Sequence, residues 1–266
     1  MLLRLLKQDL RSTGRIMIVL YAAALVLAGI SRLLSSFVDE AVGSVLILFF
    51  SRVISVLFFV AVAAVIVMTF VLMIIRFYKN YLTDEGYLMF TLPVTTGQLI
   101  WSKLLTSVLW VIVSTCVGVL AIFIITVGTD AHDVVFGIDF GRMLEGFSGG
   151  QSFSLILLVI VLALLSVAHT YLRCYASMAI GQSFGSHKLL LSVVFYIAFG
   201  IVGQILTLVL VNPLLKMDRL QEALMNAEPF NMMASVVGGV DVYYLLVCVF
   251  YFVITYLFFR KRLNLQ

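Results

Sequence analysis

The sequence predicts an all-α integral membrane protein with six transmembrane helices. Of its 266 residues, 63% are hydrophobic and 11% are charged, and its mean hydropathy is +1.18. A soluble domain carries about 25% charged residues, so this chain has too few to cover a water-facing surface. Several apolar runs approach the ~20 residues that a helix needs to cross a bilayer. Since a backbone in lipid must form its hydrogen bonds internally, these runs should be helices.

Residues 1–14 are predicted to form an amphipathic helix that lies in the headgroup region of the membrane. At ~100° per residue, the leucines of this segment share one arc and its basic residues lie opposite. The leucines are Leu2, Leu3, Leu5, Leu6 and Leu10, and the basic residues are Arg4, Lys7 and Arg11. A secretory signal peptide is the alternative, but both this segment and the apolar run after it are long for one.

The apolar runs place the six spans at about residues 16–34, 54–75, 104–127, 153–176, 189–211 and 242–259 of a single transmembrane domain, 1–266. The centres of all six spans lack Asp, Glu, Lys and Arg. Ion-coupled transporters place ionisable groups inside their spans, so the pattern favours an externally powered transporter or a passive membrane component. Periodic apolar residues within 212–240 predict a short surface helix before the sixth span.

The charge distribution predicts that both termini are cytoplasmic. Six spans put the termini and the connections 76–103 and 173–188 on one side, which then carries twelve basic residues against five on the other. The twelve are Arg4, Lys7, Arg11, Arg15, Arg76, Lys79, Lys103, Arg173, Lys188, Arg260, Lys261 and Arg262. This is a positive-inside bias, and it accounts for the net charge of +4 without nucleic-acid binding.

The sequence contains no catalytic constellation. No G-x-x-x-x-G-K-[ST] motif is present, so any ATP hydrolysis is expected in a partner subunit. Ser148 lies in a G-x-S-x-G string, but the fifth and sixth spans contain no histidine to act as its base. His169 and His187 are predicted on the opposite side of the membrane, so a flexible turn is favoured. The adjacent acid pairs Asp39-Glu40 and Asp84-Glu85 lie on opposite sides of the predicted membrane and do not predict a metal site. His132 with Asp130 and Asp133 is interpreted as part of a solvated acidic loop. The odd, scattered set Cys116, Cys174 and Cys248 is interpreted as buried small hydrophobic residues.

The segment 78–103 is a polar, turn-rich interruption between two long apolar runs. It contains Asp84-Glu85-Gly86-Tyr87-Leu88-Met89-Phe90-Thr91-Leu92-Pro93-Val94, followed by Gln98, Ser102 and Lys103. This string, ungapped over about twenty residues, resembles the cytoplasmic loop of type-2 ABC-transporter permeases. In that family an acidic-Gly-aromatic stretch runs into "TLPV/S" and then into a helix with "Q…SK". The polar turn Gly181–Lys188 and the basic C-terminal tail are two weaker similarities.

The resemblance implies the permease subunit of a bacterial ABC exporter that moves an amphiphilic substrate across the cell membrane. Two permease chains would pair in the lipid bilayer, and each would dock on a separate ATPase subunit that holds ATP and Mg²⁺. The segment 78–103 would be the coupling segment, with Pro93 ending one element and Thr95 or Thr96 capping the next. The docking residues would be Asp84, Glu85, Gly86, Tyr87, Met89, Phe90, Leu92, Pro93, Gln98 and Lys103.

Two other function classes remain open from the sequence. A non-transporting sensor or immunity protein would bind a cationic ligand through the acidic outer loops. An intramembrane hydrolase would use Ser148 and is the least favoured. The sequence does not name a substrate, because the spans carry no polar pattern that selects one.

Overall fold

The structure, a computed structural model, describes residues 2–40, 45–82, 94–127, 137, 149–184, 187–211 and 229–261. The described residues form six long α-helices. They are α1 (Leu2–Glu40), α2 (Val45–Leu82), α3 (Thr96–Thr126), α4 (Gly149–Gly181), α5 (Lys188–Leu206) and α6 (Pro229–Lys261). A π-helical turn, Thr207–Val211, continues α5.

Each helix is long and apolar enough to cross a membrane. The candidate spans have mean hydropathies between 2.2 and 3.1, and each contains at least 22 residues, which exceeds the ~20 that a bilayer requires. The described ranges contain no strand. The prediction of an all-helical protein with six apolar helices is therefore confirmed.

The helices extend beyond the predicted spans. Segment 1–14 was predicted as a separate interfacial helix, but from Leu2 onward it is continuous with the first span through Gly14. The last helix begins at Pro229, earlier than the predicted start of the span at Val242. The apolar residues that predict a surface helix within 212–240 lie from Leu214 to Met225, outside the described residues. Proline suits a first helical position because the amide at that position has no intrahelical acceptor.

The chain divides into two compact units, which are described separately. Unit 1 comprises residues 1–73 and 105–140. Ala28, Phe58 and Ala121 are fully buried at its apolar core. Elsewhere in this unit, the hydroxyl of Ser114 lies 2.8 Å from that of Tyr21 and 2.7 Å from that of Thr69. These polar side chains satisfy one another, as buried hydroxyls between membrane helices must.

Unit 2 comprises residues 74–104 and 141–266, and in it α4 packs against both α6 and α5. The turn between α4 and α5 brings two backbones very close together. A Cβ placed on Gly181 would lie 2.8 Å from the Ser192 nitrogen and 2.9 Å from the Lys188 oxygen. Only glycine fits this approach, which fixes the end of α4 against the start of α5.

The three cysteines do not share one environment. Cys174 and Cys248 are buried, as predicted, whereas Cys116 of α3 is exposed. The prediction was wrong for Cys116 because an apolar membrane helix has a lipid-facing side, where a small hydrophobic residue is equally stable.

Candidate functional site

Most of the predicted docking residues lie outside the described part of the chain. These are Asp84, Glu85, Gly86, Tyr87, Met89, Phe90, Leu92 and Pro93. The structure describes Gln98 and Lys103, together with the two helices that enter and leave the segment. It therefore defines the base of the predicted coupling segment.

The helix that leaves the segment begins with a capping box. The backbone N–H of Gln98 donates to the Thr95 hydroxyl at 3.4 Å, and the backbone N–H of Thr95 donates to the side-chain oxygen of Gln98 at 3.3 Å. This reciprocal pair satisfies two amide groups that a helix start leaves without acceptors. The prediction that Thr95 or Thr96 caps this helix is confirmed, with Thr95 in that role.

The two helices are joined at the base by polar contacts. Tyr81 of α2 donates its hydroxyl proton to the Leu99 carbonyl of α3 at 3.1 Å. Lys103 is only 5% exposed, and its ammonium lies 5.6 Å from the centre of the Tyr81 ring. With the Asn80 amide oriented to satisfy its neighbours, its oxygen accepts from Lys103 at 2.5 Å and its nitrogen donates to the Arg76 carbonyl. A buried ammonium gains both a hydrogen bond and a cation–π contact here.

Four buried aromatic residues, called here the aromatic base, connect this junction to two other helices. They are Phe77 and Tyr81 of α2, Tyr175 of α4 and Phe259 of α6. Phe77 stacks on Tyr175 with ring centres 3.7 Å apart, and both Phe77 and Tyr81 lie within 6 Å of Phe259. All four rings are at most 5% exposed. Sequence reasoning missed this cluster, although the i, i+4 spacing of Phe77 and Tyr81 places them on one helix face.

A cleft of ≈ 750 Å³ lies among α4, α5 and α6 of unit 2. Its lining includes Arg173, His169, Gly203, Gln204, Tyr244 and Phe250. The His169 ring lies 5.2 Å from that of Tyr244, and the Thr207 hydroxyl lies 3.3 Å from that of Tyr243. This volume lies within the range of pockets that bind small molecules.

Arg173 is the cationic group of this cleft. It donates a hydrogen bond to the Tyr196 hydroxyl, and its guanidinium carbon lies 4.2 Å from the centre of that ring. Its Nε is buried and has no hydrogen-bond partner among the described residues. Gly200 leaves room beside the guanidinium, since a Cβ there would lie 3.6 Å from Nη1. His169 and Arg173, four residues apart on α4, both line the cleft.

Asp241 corrects the prediction that the span centres carry no charge. It lies within the candidate span Phe230–Arg260 and is 7% exposed, and neither of its carboxylate oxygens has a hydrogen-bond partner in the part of the chain that the structure describes. The predicted span began one residue later, at Val242, because the apolar run was taken as the whole helix. Pro229 as a first helical residue was the signal that would have moved this boundary.

Replacing Asp241 with asparagine is expected to leave the protein at least as stable as the wild type. A buried carboxylate without a partner is costly, and the amide has the same shape without the charge. Thermal unfolding of the purified protein in detergent measures the effect. Asp241→Leu serves as the apolar comparison, and a clear loss of stability in Asp241→Asn would show that the carboxylate has a stabilising partner.

The other candidates from the sequence fall outside the described residues. These are His132 with its neighbouring aspartates, and Ser148 itself. Of the glycines in the Ser148 string, Gly149 and Gly150 are described and begin α4. Within the described ranges, no group of three or more His, Cys, Asp or Glu side chains could hold a metal ion.

Comparison with known proteins does not assign the chain to a family. No family model, curated protein or solved structure matches it.

Proposed function

We propose that the chain is the membrane-spanning permease subunit of an ATP-driven ABC exporter in the bacterial cell membrane. The observation that carries the proposal is the string Asp84–Val94 with Gln98, Ser102 and Lys103, which resembles the coupling segment of type-2 permeases. Six apolar helices long enough to span a membrane are consistent with such a subunit.

The contacts at the base of the segment support a role in transmitting force. A loop that couples a motor to a membrane domain must be fixed at its base, since a push on a loose loop would be absorbed there. Tyr81 and Lys103, near the two ends of the segment 78–103, join α2 to α3, and the aromatic base connects α2 to α4 and α6. A displacement of residues 83–93 would therefore act on the ends of several helices in unit 2.

The docking residues then have two different roles. The acidic and aromatic residues from Asp84 to Leu92 form the contact surface for the ATPase, where aromatic residues contribute most of the binding energy. Lys103 is buried and Gln98 is engaged in the capping box, so both position the segment. ATP and Mg²⁺ would bind to the separate ATPase subunit.

The positive-inside bias supports a topology with the termini and the coupling segment in the cytoplasm. A second permease copy or a homologous chain would complete the transporter. The substrate would be an amphiphile, such as a peptide, drug or lipid-like molecule, because the exposed helix surfaces of the described residues are largely apolar.

Tyr87→Ala and Glu85→Arg are expected to weaken binding of the partner ATPase by at least ~10-fold, since truncating an aromatic anchor or reversing an interface charge has effects of this size. The measurement is co-purification of the ATPase encoded next to this gene, with the permease in neutral detergent. Glu145→Arg is the matched control, because it reverses an acid predicted to lie on the opposite side of the membrane.

Unchanged co-purification with both Tyr87→Ala and Glu85→Arg would refute the docking role. Absence of any ATPase that binds the wild type would favour the alternative, a non-transporting sensor or immunity protein. That alternative depends on acidic loops outside the described residues, and no structural observation favours it.

A further inference from the structure

We propose that the cleft among α4, α5 and α6 binds a single-tailed anionic amphiphile. Its carboxylate or phosphate headgroup would contact Arg173, and its apolar tail would lie along the aromatic wall of the cleft. The inference names the substrate class of the proposed exporter, so the biological role of this binding rests on that proposed function. Binding itself requires no ATPase and is measured on the permease alone.

The charge of the cleft selects an anionic headgroup. Asp241 is the only carboxylate among the described side chains of unit 2, and neither of its oxygens has a partner. No described carboxylate of this unit therefore neutralises Arg173, which lies inside the candidate span Gly150–Gly181. An ionised side chain within a span is costly unless it is paired, so its retention indicates a functional partner.

The geometry of Arg173 suits a carboxylate or phosphate. Among the described residues, Arg173 donates one hydrogen bond, to Tyr196, which leaves other N–H groups of the guanidinium for a ligand. The contact with the Tyr196 ring holds the guanidinium plane in one orientation. A guanidinium can present two parallel N–H groups to two oxygens of one anion. The position also suits a headgroup, because Arg173 lies eight residues before the end of α4, or ~12 Å along the helix axis.

The remainder of the cleft suits an apolar tail. From Gly200 to Thr207 the cleft follows eight residues of the fifth helix and its π turn, or ~10 Å of axis. Phe199, Tyr244, Phe250 and Tyr251 supply aromatic surface along it. At Gly203 nothing lies within 4 Å of an added Cβ, so the absence of a side chain keeps the cleft open there. A volume of ≈ 750 Å³ favours one tail over two.

The test is native mass spectrometry of the full-length protein in neutral detergent. The probes are dodecanoate and dodecyl phosphate, with dodecyltrimethylammonium as the cation of equal tail length and phosphatidylglycerol as the two-tailed anionic lipid. The anionic single-tailed probes are expected to bind. Arg173→Gln is expected to lower their binding affinity by at least ~10-fold, because it removes a charge-assisted contact. Arg173→Lys should restore part of this binding because it restores the charge.

Gly203→Phe tests the tail site without changing the charge. The phenylalanine ring should fill the cleft and lower the binding affinity of both anionic probes by a similar factor. This variant therefore tests the proposal even if Arg173→Gln fails to fold. Gly29→Phe is the matched control, since Gly29 of α1 also has nothing within 4 Å of an added Cβ and does not line the cleft. Arg260→Gln, an exposed cation on α6, controls for the loss of one positive charge.

Four results would overturn the inference. Equal binding of the cationic and anionic probes would refute the role of Arg173, as would unchanged binding in both Arg173→Gln and Gly203→Phe. Tighter binding of phosphatidylglycerol than of dodecyl phosphate would assign the cleft to a bilayer lipid. If the wild type is a dimer that binds no probe, and Gly203→Phe dissociates this dimer, a second copy of the chain occupies the cleft. None of these results bears on ATPase docking, which the co-purification experiment tests separately.

Discussion

Phe77→Ala is expected to lower the melting temperature of the purified protein by at least ~6 °C. Truncating a buried Phe costs about 3–5 kcal/mol, and each kcal/mol corresponds to roughly 2–4 °C in a chain of this size. Phe77 is fully buried and stacks in parallel on Tyr175 at 3.7 Å. Lipid tails are as apolar as the side chain, so the loss comes from packing contacts and the residual cavity.

The matched control for Phe77 is Phe153→Ala. Phe153 of α4 is 68% exposed, so its truncation removes little packing and should leave the melting temperature almost unchanged. Thermal unfolding followed by tryptophan fluorescence in detergent compares the two variants. If they melt at the same temperature, the aromatic base does not stabilise the ends of these helices. Phe77→Leu should retain most of the stability, because it preserves much of the volume.

Gly181→Ala is expected to destabilise the protein by about 3 kcal/mol, which lowers its melting temperature by roughly 6–12 °C. The added Cβ would lie 2.2 Å from the Ser192 hydroxyl, and within 3 Å of two backbone atoms of α5. A hydroxyl can rotate away, but the backbone atoms can move only with the helix. The same thermal unfolding experiment measures the effect.

Two further variants separate the side-chain contact from the backbone contact. Ser192→Ala removes the hydroxyl, and the double variant with Gly181→Ala should remain as unstable as Gly181→Ala alone. Recovery of stability in the double variant would show that the Ser192 hydroxyl was the only obstacle. Gly238→Ala is the control, since nothing lies within 4 Å of its added Cβ and alanine favours a helix over glycine.

The number and type of the main elements were predictable because they depend on local composition. A run of about twenty apolar residues has few alternatives to a membrane helix, whatever it packs against. Helix ends were less predictable. Bilayer thickness limits the apolar run but not the helix, so α2 continues past its apolar run through Arg76 and Lys79. Because a helix can be longer than its apolar run, the sequence placed Asp241 before the last span, although this residue lies inside α6.

The candidate site was predictable only in part. The Thr95–Gln98 cap is a local pattern four residues long, so the sequence indicated it. The burial of Lys103 against Tyr81 depends on how two helices meet across the segment between them. A count of charges assigned Lys103 to a basic surface, whereas packing places its ammonium under an aromatic ring.

By itself, the sequence determined that this protein has six apolar helices, because hydropathy and run length are properties of each segment alone. It also supplied the coupling-segment resemblance, on which the proposed function depends. Only the tertiary structure brought together Phe77, Tyr175 and Phe259, and placed Arg173 beside Tyr196 at the end of a cleft. These residues lie on different helices, and in a chain where almost every helix face is apolar, side-chain packing decides which faces meet.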